Sequence, residues 1–150
     1  MLTFIQQTPI PRSAEDVYQW HAAKNALNRL IPPWQKVTVV THDGIDEGRI
    51  ALLRLHMGPL RIIWQALHVD VIPGRQFRDV QLSGPFKSWR HTHRMTPTGS
   101  ESCLLEDEVQ CELPGGRLLN VLARPFLRRM LKKLFDYRHA VTRSDLSEAA

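Results

Sequence analysis

The chain has 150 residues, a formal net charge of +5 and a hydrophobic fraction of 43%. This length makes one domain by default and is enough to bury a core, and the composition is ordinary for a soluble globular protein. No run approaches the ~18 apolar residues that a membrane helix needs, so no membrane span is expected.

The beginning of the chain is predicted to hold a strand followed by helical segments. The strand spans 2–7 and ends before two prolines. Ser13 suits a helix N-cap, and apolar residues at helix-like spacing over 14–30 indicate two short helices or one bent helix. Pro32 and Pro33 end this helical region.

From residue 34 the sequence changes to short strands separated by turns rich in glycine and proline. The predicted strands span 34–41, 49–57, 60–72, 76–82, 86–95 and 101–113. Spacing of this kind indicates an antiparallel meander, and the fold class is therefore α+β.

The last predicted element is an amphipathic helix. Its apolar stripe consists of Leu119, Leu122, Ala123, Phe126, Met130, Leu134 and Tyr137. Pro125 lies inside this pattern, so the helix either kinks there or begins there. Residues 141–150 are expected to form a frayed or disordered tail, which leaves 1–140 as a single ligand-binding domain.

These elements leave few packings open, because the C-terminal helix is the one element long enough to cover a curved sheet. We predict a curved antiparallel sheet of about seven strands wrapped on this helix, with two short helices near the N-terminus. A helix over a bent sheet encloses a tapered space that suits a ligand.

The register of the central hairpin decides which side chains face that space. A two-residue turn at Gly84 and Pro85 would place Asp79 opposite Arg90 as an exterior ion pair. The inward row of the second strand is then Trp89, His91, His93 and Met95.

The following strand has an inward row with a single charged member, Asp107. A three-residue loop at 98–100 would place His91 opposite this carboxylate. A carboxylate on an apolar face must be paired, or its pKa rises and it stays neutral. We therefore predict a contact between His91 and Asp107 that faces the cavity.

The order of elements and three segments carry a family resemblance. The segments are Phe77-x-Asp79-x-Gln81-x-x-Gly84-Pro85-Phe86-x-x-Trp89-x-His91-x-His93, Leu30-Ile-Pro-Pro-Trp34 and Phe135-x-Tyr137-Arg138. They resemble the START-like, or helix-grip, SRPBCC superfamily of polyketide cyclase/dehydrase and lipid-transfer proteins. The resemblance is to a bacterial branch in which some members are attached to a nucleotide-sugar-epimerase-like protein. It implies ligand binding more reliably than catalysis.

We expect the cavity to bind a hydrophobic small molecule of lipid, polyketide or isoprenoid-like character. The expected ligand-binding residues are Trp89, His91, His93, Met95, Leu105, Asp107 and Val109 from the sheet, with Phe126 and Met130 from the helix. The alternative is a cyclase/dehydrase-type enzyme that uses His91 with Asp107 for acid–base chemistry.

The same two histidines and the C-terminal helix suggest two other kinds of site, a metal site and a contact surface for a partner. His91 and His93 could begin a metal site with Asp107 as a carboxylate ligand, but no third histidine has suitable spacing, so no metal and no cofactor are expected. The segment 117–138 carries a net charge of +6, and its basic face includes Arg124, Arg128 and Lys132. This face is either solvated surface or a contact for an acidic partner, and no nucleic acid is expected, because aromatic residues are not interleaved there.

The cysteines and the N-terminus bear on localisation. Cys103 and Cys111 lie on one predicted strand, ~26 Å apart, so they cannot pair with each other. The first residues lack a basic start followed by an apolar block, which is the pattern of a secretory signal. Together these features favour the cytoplasm.

Overall fold

A seven-stranded antiparallel sheet and one long helix dominate the computed structural model, which describes residues 1–148. The elements in chain order are β1 (Leu2–Ile10), α1 (Ala14–Ala22), α2 (Ala26–Leu30), β2 (Val37–Thr41), β3 (Ile50–Met57), β4 (Leu60–Ile72), β5 (Gln76–Ser83), β6 (Ser88–Gly99), β7 (Ser102–Glu112) and α3 (Gly116–Glu148).

The strand order in the sheet is β1-β7-β6-β5-β4-β3-β2. Strands β2 to β7 therefore form a meander of consecutive hairpins, and β1 pairs with the last of them. The helical region after β1 divides into two short helices, and the Ser13 hydroxyl caps the first by accepting from the Asp16 amide at 3.1 Å. The predicted helix-grip fold is confirmed.

The register between β5 and β6 differs from the prediction by one residue. Asp79 lies opposite His91, not opposite Arg90, so its side chain points to the inner face. The connection spans 84–87 instead of two residues, and the Gln81 side chain closes it with two hydrogen bonds to the Phe86 backbone, at 2.8 and 3.3 Å. The predicted exterior ion pair of Asp79 and Arg90 is therefore wrong.

The register between β6 and β7 differs by two residues, which keeps every side chain on its predicted face. His93 lies opposite Asp107, and His91 lies opposite Val109. His91 still reaches Asp107, because a diagonal neighbour on the same face is within reach of a long side chain.

Helix α3 begins at Gly116 and continues through Pro125 to Glu148. The predicted disordered tail is wrong over 141–148, since Thr142 and Leu146 are buried in this helix, and the last two residues of that tail lie outside the described residues. The Leu146 carbonyl also accepts a hydrogen bond from Arg12 Nε at 2.9 Å.

The buried face of α3 also differs from the predicted stripe. Its buried residues are Leu127, Leu131, Leu134, Phe135, His139, Thr142 and Leu146. The first half of the helix has apolar residues on two adjacent faces, and packing against the sheet covers only one of them. Leu122 and Phe126 are 69% and 68% exposed as a result.

The core consists of two apolar clusters. One contains Met95 and Leu105, and the other contains Trp89, Val109 and Phe135. Along β6 and β7 the residues between them on the inner face are polar: His91, His93 and Asp107. A layer of polar side chains therefore separates the two clusters.

Replacing Leu131 with alanine should lower the free energy of unfolding by about 2–5 kcal/mol, because this side chain is fully buried. The matched control is Leu122→Ala on the exposed face of the same helix, for which we expect a change within about 0.5 kcal/mol. Chemical denaturation followed by circular dichroism measures both. Equal losses for the two variants would contradict the observed facing of α3.

Candidate functional site

A cavity of about 130 Å³ lies on the inner face of the sheet, beneath α1, α2 and α3. Most of its wall is apolar, and successive elements each contribute to it. The larger apolar side chains include Leu30, Val37, Leu55, Trp64, Phe77 and Trp89. A polar side is formed by Asp79, His91 and His93. The cavity is thus a mostly apolar space, and these three residues, which lie side by side, form its polar wall.

The structure brings together only part of the predicted site. Trp89, His91 and His93 line the cavity as predicted, and Asp107 lies directly behind the two histidines. The other predicted residues do not line it. Met95, Leu105 and Val109 are packed within the core, whereas Phe126 and Met130 are exposed on α3, so the predicted closure of the cavity by these two side chains is wrong.

The Asp107 carboxylate joins the sheet to α3. Its Oδ1 lies 2.6 Å from His91 Nε2 and 2.8 Å from His93 Nδ1. Its Oδ2 accepts from His139 Nε2 at 2.5 Å, and the other nitrogen of His139 lies 2.7 Å from Thr8 Oγ1 on β1. One buried carboxylate on β7 therefore contacts three histidines, two from β6 and one from α3.

Asp79 supplies a second carboxylate on the cavity side of the same histidines. Its Oδ1 lies 3.2 Å from His93 Nε2, and its Oδ2 lies 3.4 Å from His91 Nδ1. Each imidazole therefore lies between two carboxylates, with Asp107 behind it and Asp79 toward the cavity. Phe77 stacks on the His93 ring at a centroid distance of 4.0 Å and restricts its rotation.

This arrangement shifts the pKa values of its members. Burial alone would lower the pKa of His93, but Asp107 and Asp79 beside it raise that pKa to about 9. Burial alone would raise the pKa of Asp107, but the charge of His93 and hydrogen bonds from His139 and His91 hold it well below its usual range. The cluster therefore contains charged carboxylates and a protonated histidine at neutral pH.

Four further polar residues line the cavity and were not predicted from the sequence: His21, His42, His68 and Arg138. Burial and the charge of His93 lower the pKa of His21 to about 4, and burial lowers the pKa of His68, so both rings are neutral. Arg138 also reaches the cavity from α3, and its Nε donates to the Leu30 carbonyl at 3.1 Å. No strand-period signal marks Arg138, because it comes from the helix.

The predicted basic face of α3 lies outside the cavity lining, although Arg138 of the same helix reaches the cavity. Arg124, Arg128 and Lys132 are exposed, and Lys132 pairs with Asp136 one turn later. An acidic partner for this face stays a prediction. Among the residues the structure describes, no helix combines the length and apolarity that crossing a bilayer demands.

The sequence matches the model of a known protein family. The family model described as polyketide cyclase / dehydrase and lipid transport matches residues 10–136. The chain belongs to this family. A search of curated proteins gives no match.

Several solved structures are similar to this chain over nearly its whole length. A nucleoside-diphosphate sugar epimerase from Corynebacterium glutamicum is 27% identical with a TM-score of 0.76, covering 96% of this chain but 29% of the epimerase. An aromatase/cyclase from a Streptomyces species is 16% identical with a TM-score of 0.69, covering 96% of this chain and 92% of that one. A norcoclaurine synthase from Thalictrum flavum is 14% identical with a TM-score of 0.72, covering 99% and 96%. The last two similarities concern the fold.

Replacing Asp107 with asparagine should lower the free energy of unfolding by about 3 kcal/mol, because the buried histidines lose their counter-charge. The neighbouring Glu106→Gln is the control. Glu106 pairs with Arg94 on the partly exposed outer face, so its loss should cost less than about 1 kcal/mol. Denaturation at neutral pH measures both variants, and a tolerated Asp107→Asn would contradict a structural role for this carboxylate.

Proposed function

We propose that the chain binds a small, largely apolar molecule in this cavity and orients it by a hydroxyl or carbonyl group. The observation that supports the proposal is the uneven distribution of apolar and polar side chains over the cavity lining. Apolar side chains form most of the lining, and Asp79, His91 and His93 place hydrogen-bonding groups side by side in one part of it. Ligand sites typically combine a mostly apolar lining with a few placed polar groups.

The volume of the cavity restricts the ligand. A comparable engineered apolar cavity of about 150 Å³ accepts benzene. The present volume of about 130 Å³ therefore suits one six-membered ring or a short aliphatic chain. A long lipid or a polycyclic polyketide exceeds this volume and would require lining elements to move apart, such as α2 with Leu30 and β2 with Val37.

The polar wall offers both acceptors and donors. The Asp79 carboxylate accepts a hydrogen bond from a ligand hydroxyl, and protonated His93 donates to a ligand carbonyl through Nε2, in exchange for its contact of 3.2 Å with Asp79. Because Asp107 holds both imidazoles from behind, the wall requires little reorganisation when a ligand binds.

The size and polarity of the site are tested with a pair of matched probes, p-cresol and toluene. We expect p-cresol to bind more tightly, by roughly tenfold, because its hydroxyl satisfies the polar wall. Calorimetry or quenching of Trp64 and Trp89 fluorescence measures the affinities.

A cavity-filling variant checks where the probes bind. Ala66 is buried in the cavity wall, so Ala66→Leu should abolish p-cresol binding, while Ala140→Leu on the exposed side of α3 should leave it unchanged. Native mass spectrometry of freshly purified protein looks in parallel for a natural ligand. Unchanged binding in Ala66→Leu would refute the proposed location.

The second candidate function is a cyclase/dehydrase-type enzyme. The observation that favours it is the contact of 2.6 Å between His91 and Asp107, because a carboxylate that orients an imidazole prepares it for acid–base work. The other nitrogen of His91, Nδ1, lies on the side of Asp79, which lines the cavity.

Mutation of His91 separates the two functions. In an enzyme, His91→Ala should reduce kcat by about 10²–10⁴-fold, whereas a binder should lose roughly tenfold in affinity. Turnover and affinity are measured on a ligand recovered from the protein or on a short poly-β-ketone. His56→Ala is the control, because His56 contacts Thr38 away from the cavity. Unchanged kcat in His91→Ala would exclude His91 as the catalytic acid or base, and absence of turnover in the wild type would exclude the enzyme.

A further inference from the structure

We propose that Asp79, His91 and His93 form a binding site for a divalent transition metal such as zinc. One carboxylate oxygen and one nitrogen from each ring lie within 4.8 Å of one another. All three residues also line the cavity. This inference goes beyond organic-ligand binding, and its test does not depend on whether such a ligand binds.

The distances suit a tetrahedral ion. Donor atoms about 2.0–2.1 Å from such an ion are about 3.3 Å apart. Asp79 Oδ1 lies 3.2 Å from His93 Nε2, and the second oxygen of the same carboxylate, Oδ2, lies 3.4 Å from His91 Nδ1. One ion would be bound through both oxygens or, after the carboxylate turns, through one of them, and the donor atoms already lie within 4.8 Å of one another.

Asp107 lies behind the two histidines and provides the carboxylate that commonly supports histidine ligands in metal sites. Histidine ligands usually donate their second N–H to a carboxylate, which fixes the ring and raises the basicity of the ligating nitrogen. Here Asp107 Oδ1 accepts from His91 Nε2 at 2.6 Å, so Nδ1 is the free nitrogen that faces Asp79. His93 Nδ1 lies 2.8 Å from the same oxygen, although it is not aligned there for a hydrogen bond.

The Asp107 carboxylate is itself fixed. His139 Nε2 donates to its other oxygen at 2.5 Å, and His139 contacts Thr8 through its second nitrogen. A chain of contacts therefore runs from Thr8 on β1 through His139 on α3 and Asp107 to the two proposed histidine ligands. This is the support that a preorganised first shell needs.

The donor set and the cavity indicate the class of metal. Two imidazoles and one carboxylate favour zinc, cobalt, nickel or iron over calcium and magnesium, which prefer oxygen donors. Three protein ligands beside an open space leave a position for water or a ligand oxygen, as in catalytic metal sites. A bound metal would then contact the polar group of any molecule held in the cavity.

The proposal is tested on the full chain after treatment with a chelator. Calorimetry with Zn²⁺ should show one ion per chain with Kd in the micromolar range or tighter. Co²⁺ should produce the visible absorption bands of a four- or five-coordinate ion. Wild-type protein that binds neither ion at a site of this kind would overturn the proposal.

Variants locate the site. Asp79→Asn and His93→Gln should each weaken Zn²⁺ binding by at least about 100-fold, and His139→Gln, which acts through Asp107, by about tenfold. His68→Gln is the matched control, because His68 lines the same cavity but lies outside the three ligands. Circular dichroism without metal confirms that each variant folds, and p-cresol binding measured without metal reports on the proposed function separately. Equal Zn²⁺ affinity in Asp79→Asn and wild type would overturn the assignment.

Discussion

The buried carboxylate of Asp107 is the interaction on which the centre of this structure depends. It lies on an otherwise apolar row of β7, where an unpaired charge would cost several kcal/mol. Contacts with His91, His93 and His139 offset that cost. Because His139 belongs to α3 and the other two belong to β6, the same group that needs partners also fixes the helix against the sheet.

The polar layer around Asp107 explains why one part of the cavity lining is polar while most of the lining is apolar. Apolar clusters lie on both sides of the layer, one around Met95 and Leu105 and the other around Trp89 and Val109. Packing on both sides holds the imidazoles in place, and the cavity opens where Asp79 and His91 reach the inner face. The orientation of the polar wall therefore follows from the packing of the core.

The fold was predictable because each element has its own local signal, but the register of β5 and β6 was not. The Gly84 and Pro85 pair marks a turn without specifying its length, and the Gln81 side chain extends the loop by bonding to the Phe86 backbone. One residue of shift moves Asp79 from solvent to the cavity. The contact of His91 with Asp107 was predicted correctly, because a shift of two residues preserves the face.

The stability of the fold alone does not explain why a second carboxylate, that of Asp79, lies on the inner face of the sheet. Asp107 supplies one counter-charge for the buried histidines, and Asp79 supplies a second at the desolvation cost of another carboxylate. The fold accepts that cost at a position that borders the cavity, where the carboxylate faces both imidazoles. A core that needed only stability would gain more from an apolar residue there, as at the neighbouring inward position of Phe77. The proposed functions would give this carboxylate a further partner, either the hydroxyl of an organic ligand or a metal ion.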